Sequence, residues 1–447
     1  MTMPLMETEL QAHDTCVTDL LAFLDASPTP WHAVDEMQRR LVAAGFRLLQ
    51  EQDAWQLEPG AAYVVTRGGG ALAAFVVGGG VLAEEGFRLT GAHTDSPGLR
   101  VKPRGEHAKG GMLRVGVEIY GGPILATWAD RELGLAGRLS LKDAAAPGGV
   151  ATRNVRLDRA LLRLANAAIH LNREVNNKGL VLDKQEELPL LLAAEEGMPD
   201  GGLLRGMLAE AADVDPGRIL GFDLCAMDLQ PAALWGPSQE YIASGRLDNL
   251  AMCHSSLLAV QEAASHAAEL RGVALALCFD HEEVGSQSAS GADGSILPDL
   301  LERIHEALGG GREAFLRACA RSFLVSADMA HALHPNYQRL YEPHHQVFLN
   351  QGPVIKLNSN LRYTTDGPGA ARFTRVCEDA GVPVQRYVHR TDLPCGSTIG
   401  PMASARMGIA AVDVGNPMLS MHSARESAGA LDPLWMATAL GHFLRHG

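Results

Sequence analysis

"GVALALCFDHEEVGSQSAS", residues 272 to 290, decides how the fold is read. Residues 273 to 279 are apolar without a break, which suits a strand buried on both faces of a sheet. A His, two adjacent Glu and a Gly-Ser turn follow at once. Adjacent carboxylates repel, and burying either one costs on the order of several kcal/mol unless it is paired or bound to a cation. The pair therefore needs partners from elsewhere in the chain.

The same texture recurs. "FRLTGA" runs into His93 and Asp95, "FLVSA" into Asp328, and His422 lies just past "GIAAVDVG". Between these runs stand helix-like stretches: "RLDNLAMCHSSLLAVQEAASH", "ERIHEALGGGREAFLRAC" and the final "PLWMATALGHFLR". Apolar strands alternating with helices predict an α/β fold, a mostly parallel sheet flanked by helices on both faces. Sites in such sheets form beyond the carboxyl ends of the strands. Four segments thus deliver a His or a carboxylate to that position, and Asp248, at a predicted helix start, is a fifth candidate.

Toward the N-terminus, "DTCVTDLLAFLDA" predicts a helix stopped by "SPTP", and "WHAVDEMQRRLVAAGF" a second with Gly45 as its C-cap. The Gly-rich "RGGGALAAFVVGGG" lacks the GK[ST] ending of a phosphate loop and reads as hairpin ends. Residues 99 to 236 differ in texture. They hold short β-like pieces ("LRVGVEIYGGP", "GLAGRLSL"), a predicted helix over 158–172 ("DRALLRLANAAIHLN") and an acidic Leu-rich stretch from 183 to 217, without dense polar clusters. The expected division is a catalytic domain over 1–98 and 237–447, interrupted by an inserted domain over 99–236.

The bulk numbers agree with two globular domains: 447 residues, 47% hydrophobic and 20% charged. A net charge of −14 disfavours nucleic acid and anionic membranes as partners. The seven cysteines are scattered and form no CxxC pair, which argues against a thiolate zinc site and for a reducing compartment. "MTMPLMETELQAHD" lacks the basic and apolar regions of a signal peptide, and no apolar run reaches the ~18 residues of a membrane span, so a cytoplasmic protein is expected. "HEEVG" is not the HExxH zinc helix, since Gly285 stands where the second His belongs, and no GxSxG serine elbow occurs.

Oxygen and imidazole donors without thiolates suit Zn, Mn or Co. Singly, each donor has a plain structural reading: Asp248 as an ordinary helix cap, Asp328 as a turn residue, any one His of 17 as a surface group. Together at strand ends they make three carboxylates and two imidazoles, too many for one catalytic zinc with its three protein ligands. They suit two metals sharing a carboxylate, roughly 3.5–4 Å apart. One of Glu282 and Glu283 is then a ligand, and the other accepts the proton of the bound water. Asp95 is placed to orient the His93 ring.

"SPTPWHAV", "GAHTDSPGLRVKP", "SGRLDNL", "DHEEVGSQSASGA", "SADMAHALHPNY", "GPVIKLN", "PCGSTIGP" and "MHSARE" together resemble the aspartyl aminopeptidases of the M18 metallopeptidase family, from about residue 20 to the C-terminus. The resemblance implies a zinc-exopeptidase-like catalytic domain with an inserted β-rich dimerisation domain, and dimers assembled into a tetrahedral dodecamer. It implies two zinc ions per subunit, with Mn2+ or Co2+ as alternatives. His93, Asp248 and Asp328 would hold one ion, and Asp248, Glu283 and His422 the other. Glu282 would be the general base, and Asp95 would support the metal ligands from behind. The implied substrate is a short peptide with an N-terminal Asp, then Glu. An acidic side chain entering among carboxylates needs a cation, for which Lys356 is the first choice. Tyr363 would donate to the oxyanion. His170 matches a position that reaches a neighbouring subunit's site. His331 stands in a stretch with His334, His344 and His345, of which one or two are expected to touch substrate. Two other readings compete. One is a related dinuclear hydrolase for neutral N-termini or N-acyl amino acids, which needs no pocket cation. The other is a non-catalytic oligomeric scaffold, which would keep the ligands and lose the base; Glu282 argues against it.

Overall fold

A computed structural model of the chain describes residues 7–194 and 202–447. Residues 1–6, which open the expected catalytic domain, and 195–201, within the acidic Leu-rich stretch, lie outside the described residues. The chain divides into two compact units. The first comprises the residues up to Asp95, Ala232–Met421 and Glu426–Gly447; the second comprises Ser96–Pro231 and His422–Arg425. The composition shifts at 98/99 and 236/237 lie a few residues from these breaks. The short visit of 422–425 leaves no compositional trace. It belongs to the second unit because Ile124 N–H donates to the His422 carbonyl (2.9 Å) and Ala424 N–H to the Thr127 hydroxyl (2.8 Å).

Helices Glu7–Ala26 and Pro30–Ala43 come first. The Thr29 hydroxyl accepts the His32 N–H, and Pro30 fills the first helical position, where no hydrogen bond is lost. The C-cap is Ala44; Gly45 follows it at φ +92°, a left-handed backbone that glycine adopts freely. Strands β1 (Arg47–Leu48), β2 (Ala62–Arg67), β3 (Ala71–Val77) and β4 (Phe87–His93) follow. The glycines between β2 and β3 form a hairpin turn, as expected, with Arg67 paired to Ala71. Gly70 makes room for Asp280: a Cβ would fall 1.9 Å from its carboxylate and displace it.

The second unit is an antiparallel sheet of β5 (Gly98–Lys109), β6 (Met112–Tyr120), β7 (Leu133–Lys142), β8 (Val150–Leu162), β9 (Leu190–Ala194) and β10 (Ile219–Asp228), in the order β8-β7-β10-β5-β6-β9. Leu99, Val115, Leu139 and Leu190 form its core with Leu204 and Leu208 of the helix Leu203–Ala211. The helix predicted over 158–172 is not there. Residues 158–162 end β8, where Leu162 pairs with Leu133 of β7 beyond a break in register that follows Leu157, and His170 stands in a turn beyond. The Ala/Leu-rich composition favours helix locally, and the ladder with β7 overrides that preference.

The chain then returns to the first unit with β11 (Ala233–Trp235), β12 (Tyr241–Ser244), β13 (Val273–Phe279), β14 (Phe323–Ala327), β15 (Ala330–His331), β16 (Val354–Leu357), β17 (Gln385–Val388), β18 (Ala410–Gly415), β19 (Pro417–Leu419) and β20 (Glu426–Gly429). Its main sheet runs β1-β2-β3-β13-β4-β14-β18-β16-β17, and β11, β12, β20, β19 and β15 make a smaller one. The central strands β13, β4, β14 and β18 are mutually parallel. Both faces are apolar, as the unbroken runs required. In β13, Ala274, Ala276 and Cys278 face one core, while Val273, Leu275, Leu277 and Phe279 face the other. The first core includes residues of the helices Glu7–Ala26, Pro30–Ala43, Leu247–Ser265 and Asp432–His446; the second includes residues of Ile296–Ala307, Arg312–Arg321 and Ile399–Met407. Each fully buried Leu or Phe contributes roughly 1.5–3 kcal/mol of transfer free energy to that sandwich. No helix among the described residues is long and apolar enough to cross a membrane.

Register sets up the site. His93 at the end of β4 pairs with Phe279 at the end of β13, and Gly91 pairs with Ser326. Asp328, two residues past Ser326, is therefore level with His93. Parallel strands place these ends on one edge, so residues from three segments meet without any long loop.

Candidate metal centre

His93 is the hub. It is 1% exposed, and its Nε2 lies 3.4 Å from Asp248 Oδ1, 3.5 Å from Asp328 Oδ1 and 3.9 Å from Glu282 Oε2. Its Nδ1–H donates to the Asp95 backbone carbonyl at 3.0 Å, which leaves Nε2 as the nitrogen facing the carboxylates. One ligand atom from each of His93, Asp248 and Glu283 lies within 4.8 Å of the others. Asp248 comes from the first turn of the helix Leu247–Ser265, and its N–H donates to Glu426 Oε2 at 3.2 Å. The next residue, Asn249, ties this turn to the end of β14 by donating to the Ala327 carbonyl at 2.9 Å.

The two glutamates follow β13 through His281, whose φ is +63°, and a single helical turn, Glu282–Val284. Asp95 holds that turn. Its Oδ1 accepts the Glu282 N–H at 3.0 Å and its Oδ2 the Glu283 N–H at 3.1 Å. The Asp95 carboxylate, expected to orient His93, thus grips the backbone that carries both glutamates; its Oδ1 is 3.4 Å from His93 Nδ1, beyond the backbone carbonyl contact.

Electrostatics show what this arrangement wants. Burial alone would push the His93 imidazolium down. Its contacts with Asp248, Asp328 and Asp95 win, and hold its pKa well above the usual histidine value. Burial pushes the Glu282 carboxyl up to about 9; the imidazole of His93 opposes this, while Asp328, Glu283 and Asp248 add to it. Carboxylates gathered this closely call for a positive charge among them. The donor set, imidazole and carboxylate oxygens without thiolate, fits zinc in that place.

Lys356, on β16, is 2% exposed, and its Nζ donates to Asp328 Oδ2 (3.2 Å) and to the Met329 carbonyl (3.1 Å). It also lies 5.1 Å from the centre of the Tyr363 ring. Burial raises the Tyr363 pKa, and a hydrogen bond with Cys395 raises it further, so the phenol keeps its proton. His331 ends β15; burial first, then Lys356 and His389, push its pKa down to about 4, so the ring is neutral. The other three histidines of that stretch are engaged locally: His334 accepts the Asn336 N–H, and His344 and His345 bond to Glu342. His422 and His170 belong to the second unit, where His422 Nδ1 is 3.1 Å from the Gly122 carbonyl oxygen and His170 is exposed.

Sequence reasoning passed over Tyr387, His389 and Cys395. The His331 ring lies 5.8 Å from Tyr387 and 6.3 Å from His389, and the Tyr387 hydroxyl is 2.6 Å from His389 Nδ1. His389 directly follows β17, but "QRYV" is no unbroken apolar run and β17, with β16, runs antiparallel to β18, so the rule that selects His93 does not reach it.

Relatives place the chain. Residues 23–444 match the family model described as aminopeptidase I zinc metalloprotease (M18). A probable M18 family aminopeptidase 2 of Streptomyces coelicolor is 46% identical over 427 residues, covering 96% of this chain and 97% of that protein. Among solved structures, a chain in the cryo-EM structure of the Ape4 and Nbr1 complex superposes with a TM-score of 0.93 at 38% identity, covering 99% of this chain and 88% of that one. A chain of the S. cerevisiae mApe1 dodecamer superposes at 0.85 with 25% identity, covering 98% and 97%. The chain therefore belongs to the M18 family and is a zinc metalloaminopeptidase of that family.

Proposed function

We propose that this aminopeptidase removes an acidic first residue, Asp before Glu, from short peptides, using two zinc ions per subunit. His93, Asp248 and Asp328 would hold one ion, and Asp248, Glu283 and His422 the other; Mn2+ or Co2+ suits the same donors. When bound, such ions supply Lewis acidity, polarising the peptide carbonyl and making water acidic near neutral pH. The remaining work falls to side chains. Glu282 takes a proton from the attacking water and passes it to the leaving amine; its burial gives it a proton affinity well above that of an exposed Glu. Asp95 keeps Glu282 and Glu283 in fixed positions through their N–H groups. Tyr363, protonated, has an O–H to offer the developing oxyanion.

The acidic preference rests on one observation: a buried ammonium, Lys356, in contact with Asp328. It and the neutral ring of His331 form the wall that an acidic side chain would meet. The same contact gives the second reading its footing. Lys356 is already paired with Asp328, which would suit an enzyme for neutral first residues.

The second unit we assign to dimerisation, with dimers assembling into a tetrahedral dodecamer. The S. cerevisiae mApe1 dodecamer supports this, and exposed His170 is free to reach a partner's site. Seven cysteines without a disulfide support a cytoplasmic setting. The test is hydrolysis of Asp-, Glu-, Leu- and Ala-p-nitroanilide by the wild type and by Lys356→Met, with and without chelator. Chelator-sensitive cleavage of the acidic pair, reduced by roughly 10²-fold or more in kcat/KM by Lys356→Met, is expected. Preferred cleavage of the neutral pair, unchanged by the substitution, would establish the second reading.

A further inference from the structure

Beyond the carboxyl ends of β16 and β17 the first unit holds an open cavity of about 590 Å³. That volume falls within the range of small-molecule sites, roughly 300–1,000 Å³. Its walls come from residues 357–367 and 388–395 and include Asn358, Arg362, Asp366, His389, Arg390 and Cys395.

The charges in this wall are unevenly committed. Asp366, its one carboxylate, accepts the Gly369 N–H and caps the helix Gly367–Asp379. Arg390 is paired with Asp392 (Nε to Oδ1, 2.6 Å) and donates to the Arg339 carbonyl. Arg362 is exposed and makes no ion pair among the described residues. His389 Nε2, in the same wall, has no hydrogen-bond partner among them. Arg362 thus has no counter-ion among the described residues, in a polar cavity, which suits a carboxylate.

The cavity also connects to the cleavage site through single contacts. Arg362 directly precedes Tyr363, whose ring centre lies 5.1 Å from Lys356 Nζ, and that Nζ donates to Asp328 Oδ2 at 3.2 Å. Leu357, in the cavity wall, directly follows Lys356 on β16. Lys356, against Asp328, is placed for the first residue of a substrate. Arg362, next to Tyr363 in the chain, stands beyond Lys356 on the side of the cavity, where a second or third residue would reach. We propose that Arg362 binds the C-terminal carboxylate of a di- or tripeptide substrate, so that the enzyme selects short peptides by reading both ends. This rests on the cleavage site assigned above, and it holds for an acidic or a neutral first residue alike.

The experiment compares Asp-Ala, Asp-Ala-amide and Asp-p-nitroanilide in the wild type, Arg362→Ala and Arg362→Lys, with thermal melts as the check on folding. The wild type should prefer the free dipeptide to its amide. Arg362→Ala should raise KM for the free dipeptide by roughly tenfold, with kcat kept and the other two substrates within twofold; Arg362→Lys should restore part of the loss. Equal losses on all three substrates would assign Arg362 to the first side chain or to the fold and overturn the proposal. So would a wild type indifferent to the free carboxylate, or no loss at all. The same three leaving groups on leucine are run in parallel. If only the leucine series is cleaved, the acidic preference has failed, and Arg362 is read from that series by the same criteria.

Discussion

The two units are both built on sheets, yet the described metal-binding cluster lies in the first. Strand direction explains the difference. In the first unit β13, β4 and β14 are parallel and in register, so the residues just past their ends share one edge: Glu282 and Glu283, His93, and Asp328. In the second unit every neighbouring strand is antiparallel, and successive ends point opposite ways. Charged groups there pair locally across the sheet, as Arg138 does with Asp223 at 2.8 Å. A parallel sheet concentrates the groups that follow its strands; an antiparallel one disperses them.

The contrast can be attacked from the second unit first. Leu139 is fully buried in its core, and Leu139→Ala should cost about 3 kcal/mol. Hydrogen exchange should quicken in β5 to β8, while β4 and β13 keep their protection and the protein keeps its zinc. Loss of zinc would mean that the ligands of the first unit depend on the core of the second, beyond the single ligand, His422, proposed from it.

A smaller effect probes the clamp in the first unit. Asp95→Asn keeps the shape and loses charge on the acceptor of both glutamate N–H groups. Activity should fall roughly 10–100-fold, with zinc affinity falling in step, as for other groups that support ligands. Unchanged values would make the clamp incidental.

Much of this was legible in the chain. Unbroken apolar runs marked the strands, and the polar residues directly after them marked the edge where His93, Glu282, Glu283 and Asp328 gather. Three features were not legible, each for a physical reason. "DRALL" ends β8 as strand, with Leu162 paired to Leu133, because a neighbouring strand supplies the partner, which local propensity does not encode. The 422–425 segment joins the second unit through two hydrogen bonds that leave no pattern in the residues. Asp95 acts through its carboxylate on a turn 187 residues away, and spacing two residues from His93 suggested only the imidazole.

The smallest effect concerns stability. His254 is fully buried in the helix Leu247–Ser265, with Nε2 2.8 Å from Asp19 Oδ2. Burial lowers its pKa, against the pull of Asp19, so the folded chain holds it neutral. The unfolded chain protonates it below about 6.5, so its stability contribution is present above that pH and is lost as pH falls. Asp19, whose pKa is lowered chiefly by the hydrogen bond with His254, loses its own contribution at still lower pH. Unfolding free energies from urea titration should therefore drop between pH 7.5 and 5.5, by at most about 1.4 kcal/mol per pH unit from this group. His254→Gln should flatten that slope; an unchanged slope would assign it to other residues.

The central claim is a division of labour between neighbours: Glu283 holds metal and Glu282 moves a proton. It is tested most directly by measuring zinc content and kcat together for Glu282→Gln and Glu283→Gln, after dialysis against metal-free buffer. Glu282→Gln should keep its zinc and lose roughly 10²–10⁴-fold in kcat, while Glu283→Gln should lose zinc. Zinc lost from Glu282→Gln and kept by Glu283→Gln would reverse the assignment, and zinc kept by both with kcat intact would contradict it outright.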